Sequence, residues 1–298
     1  MTGTRSAVVV NPAKVTDLDG RRKEICAALA DAGWPEPLWL ETTPEDPGCG
    51  QTRQALDEGV DVLFVCGGDG TVMACAGELA GTSVALAVLP SGTGNLLAAN
   101  LRVPTDVPDG VGLATRGQRR RIDVGSLESQ CFTVMAGIGF DASMLEATSD
   151  RMKARIGPSA YVLAALRHLR DRPMRLRIRL DGHPAMRRRA RTLLVANVGR
   201  LEGGVELLPD ALPDDGLFDV AVLNPRHLRD WLALAWGVLR RRPVVPRMET
   251  FRARRVEVVA DRPYPREVDG DVIEPAATLN AVVRPAALWV CAPPETDS

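Results

Sequence analysis

Two glycine-rich turns in the first hundred residues carry the residue types that phosphate chemistry needs. The first is Gly67-Gly68-Asp69-Gly70-Thr71, which ends the apolar run Asp61–Cys66 and is followed at once by the helix-forming segment Val72–Ala80. The order reads as a buried strand, a tight turn, and a helix whose first N–H groups point back at the turn. Glycine lets a backbone reach positive φ and lets a ligand approach the main chain. The positive end of a helix favours phosphate, and Thr71 is a candidate N-cap or phosphate-contacting hydroxyl. A carboxylate inside such a turn, Asp69, implies a metal or a proton relay. The second turn, Pro90-Ser91-Gly92-Thr93-Gly94-Asn95, again follows an apolar strand and precedes a helix, Leu96–Asn100. Two such turns on adjacent strand ends can hold a polyphosphate between them. No Walker A loop is present, and neither GxG has Rossmann spacing.

The elements that position these turns alternate. Ser6–Val10, Leu38–Glu41, Asp61–Cys66 and Val84–Leu89 read as strands, with helices over Arg21–Ala32 and Thr52–Glu58. This order implies a doubly wound parallel sheet with helices on both faces. Ligands of such sheets bind beyond the carboxyl ends of the strands, where Asn11, Thr42, Thr43, Gly67–Thr71 and Ser91–Asn95 all fall. After Arg121 the character changes. Ile122–Leu127, Cys131–Ala136, Met174–Leu180, Thr192–Val198, Leu217–Leu223, Arg254–Val259 and Asn280–Val283 read as strands of a mainly antiparallel β-sandwich. Helices are expected near Ser159–Arg170 and His227–Arg240. The second is apolar almost all round and suits a core or interface, with a lipid-facing lid as the alternative. The expected division is 1–121 and 122–298, the strand at 286–292 being able to return to the first domain.

Composition narrows the classes. The 298 residues are 45% hydrophobic and 25% charged with net charge −1, so no bulk attraction to nucleic acid is implied. The six cysteines lack CxxC spacing and the three histidines are unpaired, which favours free core thiols and excludes a histidine metal centre. Metal chemistry here would be magnesium on oxygen ligands. There is no signal-like N-terminus and no 18-residue apolar stretch, so a cytoplasmic protein is expected. Between Arg151 and Arg191 thirteen Arg or Lys stand against two acids. That run is either a solvated face or a surface for anionic headgroups at the inner membrane face.

With Asn11-Pro12, the two turns at this spacing resemble the diacylglycerol kinase catalytic-domain family, which includes the bacterial soluble lipid kinases and is related to sphingosine and ceramide kinases. The resemblance continues through Arg121–Gly125, Pro209–Asp219 and Val268-Asp269-Gly270-Asp271, and so covers nearly the whole chain. The GGDGT turn alone also occurs in NAD kinases. The resemblance implies an NAD-kinase-like nucleotide-binding domain, followed by the β-sandwich, that phosphorylates a lipid hydroxyl with ATP and Mg²⁺. It implies ATP contacts from Asn11, Pro12, Lys14, Thr42 or Thr43, Gly67, Gly68, Asp69, Gly70, Thr71, Val72, Thr93, Gly94 and Asn95. It implies a metal loop in which Asp215 supplies a side chain and Leu212 and Leu217 supply carbonyl oxygens; from the residues alone this is also an Asp-Asp-Gly β-turn. The acids available for catalysis are Asp69, Asp123 and Asp269 or Asp271. Family members close their Asp-Gly-Glu tripeptide with Glu; here Asp271 is shorter in reach by about 1.5 Å. The other readings are an NAD kinase and a non-catalytic nucleotide or lipid sensor of the same fold. A homodimer is compatible with the sequence.

Overall fold

The computed structural model describes residues 4–91, 95–128, 130–139, 172–200, 206–225, 230 and 247–294. The helices expected at 159–170 and 227–240 lie outside them, apart from Asp230. The chain divides into two compact units, Met1–Val124 with Arg284–Ser298, and Gly125–Val283.

The first unit is a parallel sheet built from β1 (Ser6–Val10), β2 (Leu38–Glu41), β3 (Val62–Cys66) and β4 (Ala85–Val88) in the order β2-β1-β3-β4. The far end of the last strand, β14 (Asp271–Cys291), pairs parallel with β4 through Trp289 and Val290. Every residue of β1 and β3 is buried, as a strand covered on both faces requires. Helix α1 (Leu18–Asp31) packs with α5 (Val107–Thr115), and α2 (Cys49–Asp57) packs with α3 (Asp69–Leu79).

The helix boundaries follow from capping. Asp17 accepts the N–H of Gly20 at 2.8 Å and starts α1 three residues before its apolar periodicity shows. Helix α5 is absent from the sequence reading because Pro108, Gly110 and Gly112 obscure it. Its signals are local: Asp106 caps the N–H of Asp109, and proline sits in the first turn, where its missing N–H costs nothing.

In the second unit the strands are antiparallel. β7 (Met135–Ile138), β10 (Thr192–Ala196), β11 (Phe218–Leu223) and β12 (Met248–Ala253) form one ladder in that order. β13 (Arg255–Val268) is irregular between Val259 and Arg266, and its two halves take different partners. Residues 256–260 pair with β8 (Met174–Leu180), which pairs with β9 (Met186–Ala190); residues 266–268 pair with β7. This bend lets one strand serve both layers of a sandwich. Asp269 and Gly270, with φ of 48° and 90°, make the two-residue turn into β14. The segment expected as one strand at 131–136 is divided between β6 (Gln130–Phe132) and β7, while those expected at 280–283 and near 288–291 belong to the single strand β14.

All six cysteines are free. Burial pushes the thiols of Cys66 and Cys75 up to about 12, so they stay protonated and inert. No helix among the described residues is long and apolar enough to cross a membrane.

Candidate active site

The carboxyl ends of β1 and β3 are tied together by side chains from the predicted set. Asn11 donates its backbone N–H to Cys66 O at 2.9 Å and its side-chain N–H to Thr71 Oγ1 at 3.3 Å, while its own Oδ1 accepts from Ala13 N. Lys14 N donates back to Asn11 O at 3.0 Å, which places the exposed Lys14 one turn beyond the strand end. Pro12 lies exposed between them.

Asp69 is the first residue of α3, and its Oδ1 accepts the backbone N–H of Leu96 at 2.7 Å. That bond fastens the first turn to α4 (Leu96–Asn100), whose N-cap is Asn95 through a 2.9 Å bond from Ala98 N. The carboxylate expected to face metal or phosphate therefore also receives a helix-end N–H.

Two details of the first turn differ from expectation. Gly68, not Thr71, is the N-cap of α3; Thr71 is a buried residue inside the helix. None of Gly67, Gly68 or Gly70 takes positive φ. Gly67 is needed for close approach, since a Cβ there would lie 2.7 Å from Thr71 Cβ. At Gly68 a Cβ would meet nothing within 4 Å among the described residues. The Val72 side chain is buried, leaving only its backbone for contact. Thr42 is buried and hydrogen-bonded to Val10 O; the exposed Thr43 accepts from Asp46 N through its hydroxyl. Thr93 and Gly94 lie outside the described residues.

An open pocket of about 420 Å³ adjoins this frame, lined by Lys14, Thr16, Asp17, Arg21, Glu24 and Ser91 among others. It brings Lys14 from the first strand end together with Ser91 from the start of the second turn. Arg21, a second cation on the same wall, escaped the sequence reading because it reads there as an ordinary residue of α1.

Asp123 has no exposed surface, and its Oδ1 accepts Ala286 N at 2.7 Å. Ala286 has φ of 48°, and the carboxylate pins that turn of β14. Its geometry is that of an anchor, not of a group that meets an incoming acceptor.

The second unit holds its acids in cross-strand rows. Side chains alternate between faces, and opposed residues share one. Glu267 is opposed by Gly137, Leu194, Ala221 and Thr250 in turn, and the next row on that face contains Met135, Ala196, Asp219 and Arg252. Asp269 closes this second row, donating its N–H to Met135 O. Its carboxylate is buried and accepts from Thr133 N, Val134 N, Met135 N and Thr133 Oγ1 at 2.8–3.1 Å.

Glu267 is 4% exposed and meets no hydrogen-bond donor among the described residues. Burial, and then the neighbouring Asp269, push its carboxyl up to about 7. Burial also pushes Asp269 up, against the pull of its four donors. Nothing in the type or spacing of Glu267 marked it out; only strand register shows it.

Asp271 lies across the turn from Val268, on the face opposite to Glu267, and is exposed. Its carboxyl is pushed upward by partial desolvation. In the 212–217 loop Asp215 accepts Leu217 N at 3.0 Å and is hydrogen-bonded to the Arg252 guanidinium, which also lies 3.8 Å from Asp219. Burial, then Asp210, raise Asp219 to about 6. Asp215 and Asp219 share one arginine, and among the described residues no group of three Asp, Glu, His or Cys is placed to hold a metal ion. A divalent cation here would rest on Asp215 and main-chain oxygens, with Arg252 as the resident counter-charge in its place. Leu212 is 48% exposed, and only its carbonyl could contribute.

Fold and site together define a parallel α/β unit with glycine-rich turns at its strand ends, and an antiparallel β unit. Residues 5–127 match the diacylglycerol kinase catalytic domain, and residues 133–292 match the YegS C-terminal NAD kinase beta sandwich-like domain. The chain belongs to the diacylglycerol kinase catalytic-domain family. It is 32% identical to the diacylglycerol kinase of Mycobacterium tuberculosis H37Rv over 80% of this chain and 79% of that one. With the Staphylococcus carnosus diacylglycerol kinase it shares 25% identity over 90% and 88%. A diacylglycerol kinase crystal structure from Bacillus anthracis covers 99% of this chain and 98% of its own at TM-score 0.79 and 22% identity. An Archaeoglobus fulgidus NAD kinase in complex with ATP covers 96% and 93% at TM-score 0.51 and 14% identity, a likeness of fold.

Proposed function

We propose that this chain is a kinase that transfers the γ-phosphoryl group of ATP to a hydroxyl of diacylglycerol or a related lipid. The observation that carries the reading is the frame Asn11–Thr71 and Asp69–Leu96, which joins three strand ends beside a pocket lined by Lys14, Arg21 and Ser91. The names of the relatives at 25–32% identity supply the acceptor class.

Phosphoryl transfer asks the protein for positioning and charge rather than covalent chemistry. In this reading the bare main chain at Gly68 and the first N–H groups of α3 receive phosphate oxygens. Lys14 and Arg21 neutralise them, and Asn11 holds Thr71 in place. Asp69 keeps the two turns in register through Leu96. Asp271, exposed and with a raised carboxyl pKa, takes the acceptor proton. Mg²⁺ would be held by Asp215 with the carbonyls of Leu212 and Leu217, and its chemistry when bound is to add positive charge at an anionic loop. The protein works in the cytoplasm and meets its lipid peripherally at the membrane.

The test is purified protein with γ-labelled ATP, a lipid panel and NAD. Label in the organic phase supports the reading, and label in NADP would replace it with the NAD kinase. No label in either, with Asp69→Ala indistinguishable from wild type, would leave the non-catalytic sensor.

A further inference from the structure

We propose that the exposed face of β8 and β9 is a docking surface for anionic lipid headgroups, built from Arg175, Arg177, Arg179, Arg187 and Arg189. The inference rests on the lipid-kinase reading for its choice of partner.

Strand β8 alternates strictly: Met174, Leu176, Ile178 and Leu180 are buried, and Arg175, Arg177 and Arg179 are exposed. Register with β9 sets Arg175 opposite Arg189 and Arg177 opposite Arg187. Arg187 and Arg189 are also exposed. Two arginine pairs thus face each other directly across adjacent strands, an arrangement that destabilises a sheet on its own. Arg179 is neutralised by Glu257 at 3.3 Å. Arg175 lies beside Asp261 on β13, which accepts its backbone N–H at 3.1 Å and feels its charge. Arg177, Arg187 and Arg189 form no ion pair with any described residue, while Arg188, on the opposite face, is bound to Glu249 at 2.8 Å. Acids stand at the two ends of this face, Glu257 by Arg179 and Asp261 by Arg175, and among the described residues none stands in the row of Arg177, Arg187 and Val259.

Edge protection does not account for the pattern. Charge on an edge strand discourages sheet-to-sheet pairing, and β9 is such an edge. β8 is not: it is paired on both sides, by β9 and β13. Its three arginines serve no edge. Val259 on β13, in the row of Arg177 and Arg187, is 50% exposed. An apolar side chain among unpaired guanidinium groups suits the headgroup boundary. Guanidinium groups bind phosphate oxygens in a bidentate fork. Tyr264, whose hydroxyl donates to Asp261 beside Arg175, has the Arg262 guanidinium 4.9 Å from its ring centroid, and the rows of Arg177 and Arg179 carry no aromatic side chain on which a base could stack. The chain's net charge is only −1, so this is local concentration of charge, not a basic protein.

The experiment is co-sedimentation of the full chain with phosphatidylcholine vesicles and with phosphatidylcholine–phosphatidylglycerol vesicles, over a salt series. Wild type should bind only the anionic vesicles and be released by salt. The quadruple variant Arg175→Gln, Arg177→Gln, Arg187→Gln, Arg189→Gln should lose on the order of a hundredfold in vesicle affinity. Its thermal midpoint should be unchanged or higher, because two like-charge pairs are gone. Should it fail to fold, the pairs Arg175→Gln/Arg189→Gln and Arg177→Gln/Arg187→Gln should each give a partial loss. Equal binding by variant and wild type, or no binding of wild type to anionic vesicles, would overturn the proposal. So would tighter, face-dependent binding of single-stranded RNA than of vesicles. Activity on lipid dispersed in detergent micelles separates the two claims: it should survive the quadruple change, and its absence in wild type would count against the kinase reading instead.

Discussion

Asp69 Oδ1 and the backbone N–H of Leu96, twenty-seven positions apart, are joined at 2.7 Å, so one carboxylate belongs to both glycine-rich turns. Asp69→Asn keeps an oxygen acceptor for Leu96 and removes the charge, whereas Asp69→Ala removes both. Both variants should lose most phosphoryl transfer. Only the alanine variant should also lose about 1–2 kcal/mol of stability, as lost helix caps do. Equal stabilities by denaturant unfolding would mean the bond is incidental.

The two leading glycines should behave differently. Gly67→Ala drives a Cβ to within 2.7 Å of Thr71 and should cost about 1–3 kcal/mol of folding stability. Gly68→Ala meets no atom of the described residues, so its thermal midpoint should hold while ATP affinity falls. Undiminished nucleotide binding in Gly68→Ala, by calorimetry, would remove that residue from the site.

Glu267 makes stability pH-dependent. Its carboxyl pKa is about 7 in the fold against an ordinary 4.5, so the folded chain binds more protons than the unfolded one between those values. Stability should therefore fall as pH rises from 4.5 to 7 and level off above, a loss of about 3 kcal/mol as an order of magnitude. Asp219, raised to about 6, adds a loss of the same sign. Glu267→Gln should reduce the slope, leaving the shares of Asp219 and Asp269, whose carboxyls burial also raises. An unaltered curve in that variant would place the titration elsewhere.

Asp271→Asn should lower kcat by on the order of 10²–10⁴ with little change in thermal midpoint, since the residue is exposed at a hairpin end. Wild-type activity should rise with pH through an inflection above 3.8, the ordinary aspartate value, and the variant should lack it. Asp271→Glu lengthens the reach; a gain in kcat would indicate a site held below its optimum, and a loss would indicate a backbone fitted to Asp.

Arg252→Ala leaves Asp215 and Asp219 without their counter-charge. Its thermal midpoint should drop in chelator and recover with Mg²⁺ by more than wild type does. A midpoint indifferent to Mg²⁺ in the variant would show that the loop holds no cation.

Local chemistry was legible in the sequence wherever it acts within a few residues. The parallel strands at 6–10, 38–41 and 62–66, the helix Leu96–Asn100 capped by Asn95, and strand Met174–Leu180 all lie where period and punctuation put them. The failures have local causes as well. Helix α5 was hidden by its glycines. Strands β9 and β12, MRRRA and METFRA, carry too many charges to look like strands, and form because an edge position lets those charges reach water.

What the sequence determined by itself was the pair of phosphate turns, the change from parallel to antiparallel architecture, and the family. Each rests on backbone preference, capping or short-range alternation. The tertiary structure alone decided which face each acid occupies. It set Glu267 beside Asp269 and Asp271 opposite, buried Asp123 under Ala286, and faced arginine with arginine across β8 and β9. These depend on register between strands more than 130 residues apart, where a shift of one residue exchanges the faces. Register is settled by burial of the whole sheet, which no short window of sequence contains.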